Sequence, residues 1–379
     1  MNNQQLTGIF SKPLVALGLM SGTSLDGIDV AIIKTDGEII TEFGAFITVP
    51  YKDKLRDRIR AEINNAKNFA DDSKGLQEYF TNVKDANLER DITLAHAEAV
   101  ESLVKGTGVK PDIIGFHGQT VIHKPNLPVE RAFTWQMGDG KLLAERTKTT
   151  VVYDFRSSDV KARGQGAPLV PVFHRAITWN LNRPVAVVNI GGVANITWVQ
   201  EDGEMLAFDT GPGNAMINDI MKKHFGKEFD DGGAVADKGK VDEKILAEYL
   251  ADEYFTAKPP KSLDRNHFTL DKVAHLKPED AVATLTAFTA HSILLSNKYF
   301  NKKAKFYITG GGRLNHKIMT LLGDDAEPIE NIGHNGDAFE AQAFAYLAVR
   351  AHNGLPISFP TTTGCKESPI RDIAKIEIY

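Results

Sequence analysis

Residues 14–34, LVALGLMSGTSLDGIDVAIIK, set two apolar runs, Leu14–Leu19 and Ile28–Ile33, on either side of Gly22-Thr23-Ser24-Leu25-Asp26-Gly27. Each run is too short for a free-standing helix, and β-branched residues favour strands, so the spacing predicts two strands joined by a tight turn. The glycines permit close backbone approach, and Thr23 and Ser24 supply hydroxyls. Successive backbone N–H groups in such a turn can form a concavity for an anion, typically a phosphate. An ordinary Ser/Thr/Gly hairpin has the same composition, so this turn alone leaves both readings open.

Working outward, Thr35-Asp36-Gly37-Glu38 turns the chain and Ile39–Val49 supplies a third strand, completing an antiparallel meander. Leu55, Ile59 and Ile63 recur four apart within Lys52–Lys67, one face of a helix, and Leu76–Val104 repeats the pattern over a longer helix or helix pair. Asp112–Phe116 reads as a buried strand ending at His117-Gly118-Gln119-Thr120. Thr134–Met137 is a short strand, Asp139 caps the helix Gly140–Glu145, and Thr149–Tyr153 is a strand ending at Asp154-Phe155-Arg156. This is the rhythm of an α/β sheet, in which functional side chains gather beyond the carboxyl ends of strands. After the glycine-rich loop Arg163–Pro168 and a short helix near Val170–Trp179, a hinge is expected before Pro184.

The second half then repeats the first. Val185–Ile190 is a strand, Gly191-Gly192-Val193-Ala194-Asn195 a glycine turn, Ile196–Val199 a returning strand, Glu201-Asp202-Gly203-Glu204 a turn and Met205–Phe208 a third strand. The paired Asp-Gly-Glu turns argue for duplication of one supersecondary unit. Asp209-Thr210-Gly211-Pro212-Gly213-Asn214 follows, then helices over Ala215–Phe225, Val241–Leu250 and Glu279–Phe300. The strand Lys305–Thr309 runs into Gly310-Gly311-Gly312-Arg313, and the chain closes with the Ala/Phe-rich helix Asp337–Val349 and a surface-wrapping tail from about Leu355. Two such meanders suit a nucleotide held in a cleft between two domains. The triple glycine lets a flat ring lie on the backbone, although a flexible strand-to-helix connection reads the same way.

With 379 residues the chain is long enough for two cored domains, expected at 1–180 and 181–379, the C-terminal tail packing back on the first. A net charge of -5 argues against nucleic acid or an anionic membrane as the main partner. The single cysteine, Cys365, excludes an intrachain disulfide and leaves no thiol cluster for a metal. His117, His123 and His174 have no metal-site spacing. No signal-peptide pattern opens the chain and no apolar run approaches a membrane span, so a cytoplasmic location is expected.

These loops resemble the superfamily of sugar kinases, acetate kinase, actin and heat-shock chaperones. Gly18-Leu-Met-Ser-Gly-Thr-Ser-Leu-Asp-Gly-Ile-Asp29 looks like the signature of the anhydro-N-acetylmuramic acid kinase family. His117-Gly118-Gln119-Thr120, Asp154-Phe155-Arg156, Asn189–Asn195, Phe208–Asn214, Thr309–Gly312 and Gly336-Asp337-Ala338 also fit, in order along nearly the whole chain. The resemblance implies a two-domain actin-like ATPase (ribonuclease H-like) α/β fold with duplicated mixed sheets and a cleft between them. It implies ATP and Mg²⁺ as cofactors, a homodimer, and conversion of 1,6-anhydro-N-acetylmuramic acid to N-acetylmuramic acid 6-phosphate in cell-wall recycling. An ordinary sugar-hydroxyl kinase and an ATP-driven clamp are the rival readings.

On the same resemblance, Asp209 is the catalytic base. ATP is held by Gly22, Thr23, Ser24, Leu25, Asp26, Gly27, Ile28 and Asp29, with Gly191 and Gly192 at the second turn and Gly310, Gly311 and Gly312 at adenosine. His117, Gln119, Asp154 and Arg156 are expected at the sugar; Arg156 would meet phosphate or the muramic carboxylate, or else form a structural salt bridge. Asp26 would reach Mg²⁺ through water or serve as a plain turn residue, and no protein metal ligand is assigned. Two positions depart from the pattern. Asn189 stands where actin and the chaperones carry Asp, which leaves the Mg²⁺ ligands open. Pro259-Pro260-Lys261-Ser262 continues as Leu263-Asp264-Arg265 where Thr-Gly-Arg is expected, so no site residue is taken from that loop.

Overall fold

The computed structural model describes residues 12–22, 24–69, 73–85, 87–125, 127–128, 132–369 and 373–379. They form two compact units, one of residues up to Ile177 together with Ala338–Tyr379, the other of Thr178–Asp337.

In the first unit β1 (Leu14–Ser21), β2 (Gly27–Thr35) and β3 (Ile40–Pro50) make the antiparallel meander that the sequence predicts. Helices Asp53–Lys67 and Leu88–Thr107 follow, with the short helix Ser73–Glu78 and a wide turn over Tyr79–Val83 separating them. The next strand, β4 (Ile113–Lys124), does not end at His117. Its first half runs parallel to β1 and to β6 (Thr150–Tyr153), while its second half pairs antiparallel with β5 (Phe133–Met137). Gly118 is the pivot: at φ +73° it bends the strand, and a Cβ there would sit 2.7 Å from the Met137 carbonyl oxygen. The HGQT segment is therefore a bent mid-strand.

In the second unit β7 (Val185–Ile190), β8 (Val193–Val199) and β9 (Met205–Pro212) repeat the meander, joined by a turn of only Gly191 and Gly192. β10 (Lys305–Thr309) lies parallel to β7, and β11 (Ala326–Pro328) parallel to β10. The order β11-β10-β7-β8-β9 reproduces β6-β4-β1-β2-β3 of the first sheet. Helix Pro278–Leu294, apolar on nearly every side, is buried in this unit's core with Ala215–Phe225 and Glu243–Leu250.

The division at the C-terminal end differs from the expected one. Helix Phe339–His352 belongs to the first unit, and β12 (Lys375–Glu377) adds antiparallel to β6, so the end of the chain packs on that same unit. The reason is steric fit. A Cβ at Gly18 of β1 would lie 1.8 Å from the Ala341 carbonyl oxygen, and one at Gly115 of β4 would lie 2.1 Å from that of Phe344. Only a glycine stripe admits the helix backbone so close to the sheet. At the helix's far end Arg350 donates to the Gly37 carbonyl at 2.7 Å and Asn353 to that of Asp36 at 2.7 Å, tying it to the β2–β3 turn. No helix among the described residues is long and apolar enough to cross a membrane.

Candidate active site

Asp209 does not end its strand. β9 runs on to Pro212, a bulge at Ala194/Asn195 absorbs the extra residue, and Asp209 pairs with Asn195 of β8. The loop of residues 259–265 frames it. The backbone N–H of Leu263 donates to Asp209 Oδ2 at 2.8 Å, and the Asp209 N–H donates to the Lys261 carbonyl at 2.9 Å. The Tyr254 hydroxyl donates to the Asp209 carbonyl, while Lys261 Nζ donates to the Tyr254 carbonyl at 2.6 Å and lies 4.1 Å from its ring centroid. Removal from water pushes the Asp209 carboxyl up to about 7, against the Leu263 N–H and the Lys261 charge, which both hold it down. Burial and the neighbouring Lys298 bring the Lys261 ammonium down to about 8. A carboxylate poised near neutrality, with one oxygen fixed and the other left to accept, is suited to general-base work.

The glycines of the expected nucleotide loops fall into two groups. A Cβ at Gly27, Gly213, Gly310 or Gly312 would strike protein atoms at 2.7 Å or less, so packing explains them. At Gly22, Gly191, Gly192 and Gly311 the nearest atoms lie 3.5 to 3.9 Å away, and none of the four has positive φ. The fold itself does not require glycine at those four. The second turn is stitched to the start of helix Ala215–Phe225: Asn214 N–H donates to the Gly191 carbonyl at 2.7 Å and Gly213 N–H to that of Gly192 at 3.0 Å. Helix N-termini of this kind favour anions.

In the first hairpin Thr23 lies outside the described residues. Leu25 holds φ +60° with its side chain buried in the core, a costly backbone state for a non-glycine residue and one that concentrates at functional sites. Ile28 is also a core residue, so both offer a ligand only their backbone. Ser24 Oγ donates to Asp26 Oδ1 at 2.8 Å and the Gly27 N–H to the same oxygen at 3.0 Å. Asp29 accepts from Thr48 at 2.6 Å. Gln119 is fully buried: its Oε1 accepts from Ser21 Oγ at 2.7 Å, which accepts from the Tyr51 hydroxyl at 2.8 Å. Gln119 thus shapes the floor of the hairpin through its Oε1.

His117 is likewise held by the protein. Its Nδ1 donates to the Gly118 carbonyl at 2.7 Å, and its Nε2 accepts from Arg156 at 2.9 Å, so neither ring nitrogen remains for a sugar. Burial first, then the Arg156 charge, hold this imidazole neutral. Arg156 also donates to the Gly166 carbonyl at 2.7 Å, and burial brings it down to about 10. The Glu340 and Asp159 carboxylates act on it in the opposite sense, favouring its charged form. Glu340, in the first turn of helix Phe339–His352, is raised by burial and by Asp29 and lowered by Arg156. Sequence reading passed over Glu340; the signal was an acidic first-turn residue just after the Gly336-Asp337-Ala338 helix start. Asp154, at φ +56°, accepts from Ser157 and pairs with Lys375 of β12 at 3.0 Å. Among the described residues no group of three or more His, Cys, Asp or Glu gathers where it could hold a metal ion.

A family model described as anhydro-N-acetylmuramic acid kinase matches residues 14–371. The protein of that name from Paramagnetospirillum magneticum is 46% identical over 362 residues, covering 93% of this chain and 96% of its own. Its namesake from Rhodospirillum rubrum is 46% identical over 355 residues, with 92% and 91% covered. The one from Acidiphilium cryptum is 46% identical over 358 residues, with 92% and 94% covered.

Proposed function

The chain belongs to the anhydro-N-acetylmuramic acid kinase family, and on that premise we propose that Asp209 is the base of a coupled hydrolysis and phosphoryl transfer. The protein is an ATP-dependent kinase that converts 1,6-anhydro-N-acetylmuramic acid to N-acetylmuramic acid 6-phosphate and ADP in cell-wall recycling. The substrate's 6-oxygen is locked in an ether bridge and has no proton to lose. Water therefore attacks the anomeric carbon, giving a proton to Asp209 Oδ1, while the freed 6-oxygen takes the γ-phosphoryl group. One carboxylate suffices, because the phosphoryl group plays the part of the acid in ordinary glycosidases. The observation that carries this reading is the Asp209 carboxylate itself, fixed at Oδ2 by Leu263 and pushed to about 7 by burial.

Gly22, Gly191, Gly192 and Gly311, open at the Cβ position, take the closest approach of ATP, with Ser24 and the helix start after Asn214 facing phosphate charge. Arg156, fixed by His117 and Gly166, receives an anionic group of the substrate. Mg²⁺ usually keeps several waters and rides on substrate phosphates with one or two carboxylates. The chain fits it in that sense only, Asp26 reaching it through water. When bound, the ion neutralises charge on the transferring phosphoryl group. Action as a homodimer in the cytoplasm, on small molecules and not on nucleic acid or membranes, belongs to the same proposal. The test is turnover in oxygen-18 water. Label at the anomeric carbon, with inversion there, supports ring hydrolysis; ADP release without label marks an ordinary hydroxyl kinase.

A further inference from the structure

Asn195 has a side-chain oxygen that the fold encloses without providing for it. It pairs with Asp209 across β8 and β9 and with Asn189 across β7 and β8. Directly opposed residues in an antiparallel pair project from the same face with Cβ atoms about 5 Å apart. The neighbours Ala194 and Ile196 turn the other way, into the hydrophobic core, which places Asn195 on the Asp209 face. Asn195 Oδ1 is shielded from solvent and has no hydrogen-bond partner among the described residues. A buried acceptor left unmet is costly, and a catalytic role or a bound water is among the causes that account for one.

We infer that Asn195 is a second catalytic residue, its Oδ1 accepting one proton of the attacking water while Asp209 Oδ1 takes the other. This rests on the water attack proposed above. A water that donates both hydrogens has its lone pair turned to a third direction, toward the anomeric carbon. The neutral amide suits the place better than a carboxylate would, because a second anion would raise the Asp209 carboxyl further. In the step, the water O–H bond breaks and its proton passes to Asp209. The water oxygen bonds the anomeric carbon, the bond from that carbon to O6 breaks with its electron pair on O6, and O6 takes the γ-phosphoryl group as ADP leaves. The bond to Asn195 is kept throughout and removed with the product hydroxyl.

The experiment is sugar-dependent ADP release by the full chain in oxygen-18 water, over a range of pH, with thermal melting recorded for each variant. Asn195→Ala is expected to lower kcat about 10²-fold, since loss of orientation alone costs that much. The KM values for sugar and ATP should stay within about twofold, as expected when only the chemical step is affected. Asn195→Asp restores an acceptor, so it should recover most of the rate at high pH while its acid limb moves upward. Wild-type kcat in Asn195→Ala overturns the inference. So does an Asn195→Asp enzyme no faster than Asn195→Ala at every pH. If Asn195→Ala does not fold, the near-isosteric Asn195→Asp decides: recovery at high pH supports the role, and inactivity in a folded protein overturns it. A wild-type protein that releases ADP without label at the anomeric carbon removes the water step, and this role with it.

Discussion

Leu263 reaches across 54 residues of chain to place its backbone N–H 2.8 Å from Asp209 Oδ2. The bond makes the two carboxylate oxygens unequal: Oδ2 accepts from Leu263, whereas Oδ1 accepts from none of the described residues. Because the donor is main chain, the geometry does not depend on which side chain follows Ser262. That explains how Leu263-Asp264-Arg265 can stand where the family pattern leads one to expect another sequence.

Burial holds the Asp209 carboxyl near 7, and a general base works only when deprotonated. Activity should therefore rise as pH increases through about 7 and be lost below it. A pH–rate profile of kcat/KM whose acid limb falls in the ordinary carboxylate range, near 4, would sink the assignment. Asp209→Asn should cost about 10²- to 10⁴-fold in kcat.

Lys261 lowers the Asp209 carboxyl by its charge and anchors the loop through Tyr254. Lys261→Met removes a positive charge near a group whose ionised form it favours, so the acid limb should move to higher pH. An unmoved limb, with activity lost equally at all pH values, would reduce Lys261 to a packing role.

Arg156 uses its guanidinium fork on His117 Nε2 and the Gly166 carbonyl, a geometry that an ammonium cannot copy. Arg156→Lys should raise KM for the sugar by about tenfold or more, the scale of one charge-assisted hydrogen bond. An unchanged KM in initial-rate measurements would contradict substrate binding there. His117→Asn should mimic part of this loss without adding any pH limb, because the imidazole is held neutral.

Two glycine substitutions should part company. Gly18→Ala drives a methyl into the Ala341 carbonyl and is expected to destabilise the fold by about 3 kcal/mol or more, read as a fall in denaturant midpoint. Gly191→Ala meets nothing closer than 3.7 Å and should leave stability within about 0.5 kcal/mol while raising KM for ATP. A stable Gly18→Ala, or a Gly191→Ala with normal ATP dependence, would contradict the sorting.

What the sequence revealed was local. The hairpin Leu14–Lys34, its echo at Val185–Phe208 and most helices follow from periodicity and turn residues within short windows. The errors lie where distant segments intervene. β4 continues past His117 because β5 offers it a second partner, and β9 continues past Phe208 because β8 does. Gln119 and His117 are polar residues at a strand's apparent tip, a pattern that fits ligand binding, yet both are spent on Ser21, Gly118 and Arg156. Leu263 acts through its backbone, which leaves no residue-type signature. Asn195 was visible inside its motif, but its relation to Asp209 depends on a cross-strand register that no single strand reveals.

The glycine stripe under helix Phe339–His352 also orders events during synthesis. Domains tend to fold as they emerge from the ribosome, N-terminal parts first. Here the first sheet's stripe stays bare until residues 339–352 arrive, whereas Thr178–Asp337 is contiguous and complete by then. The middle of the polypeptide is thus free to mature before its beginning does. A chain stalled between Asp337 and the end of the closing helix would carry a finished second unit and an uncovered, association-prone sheet at its N-terminus.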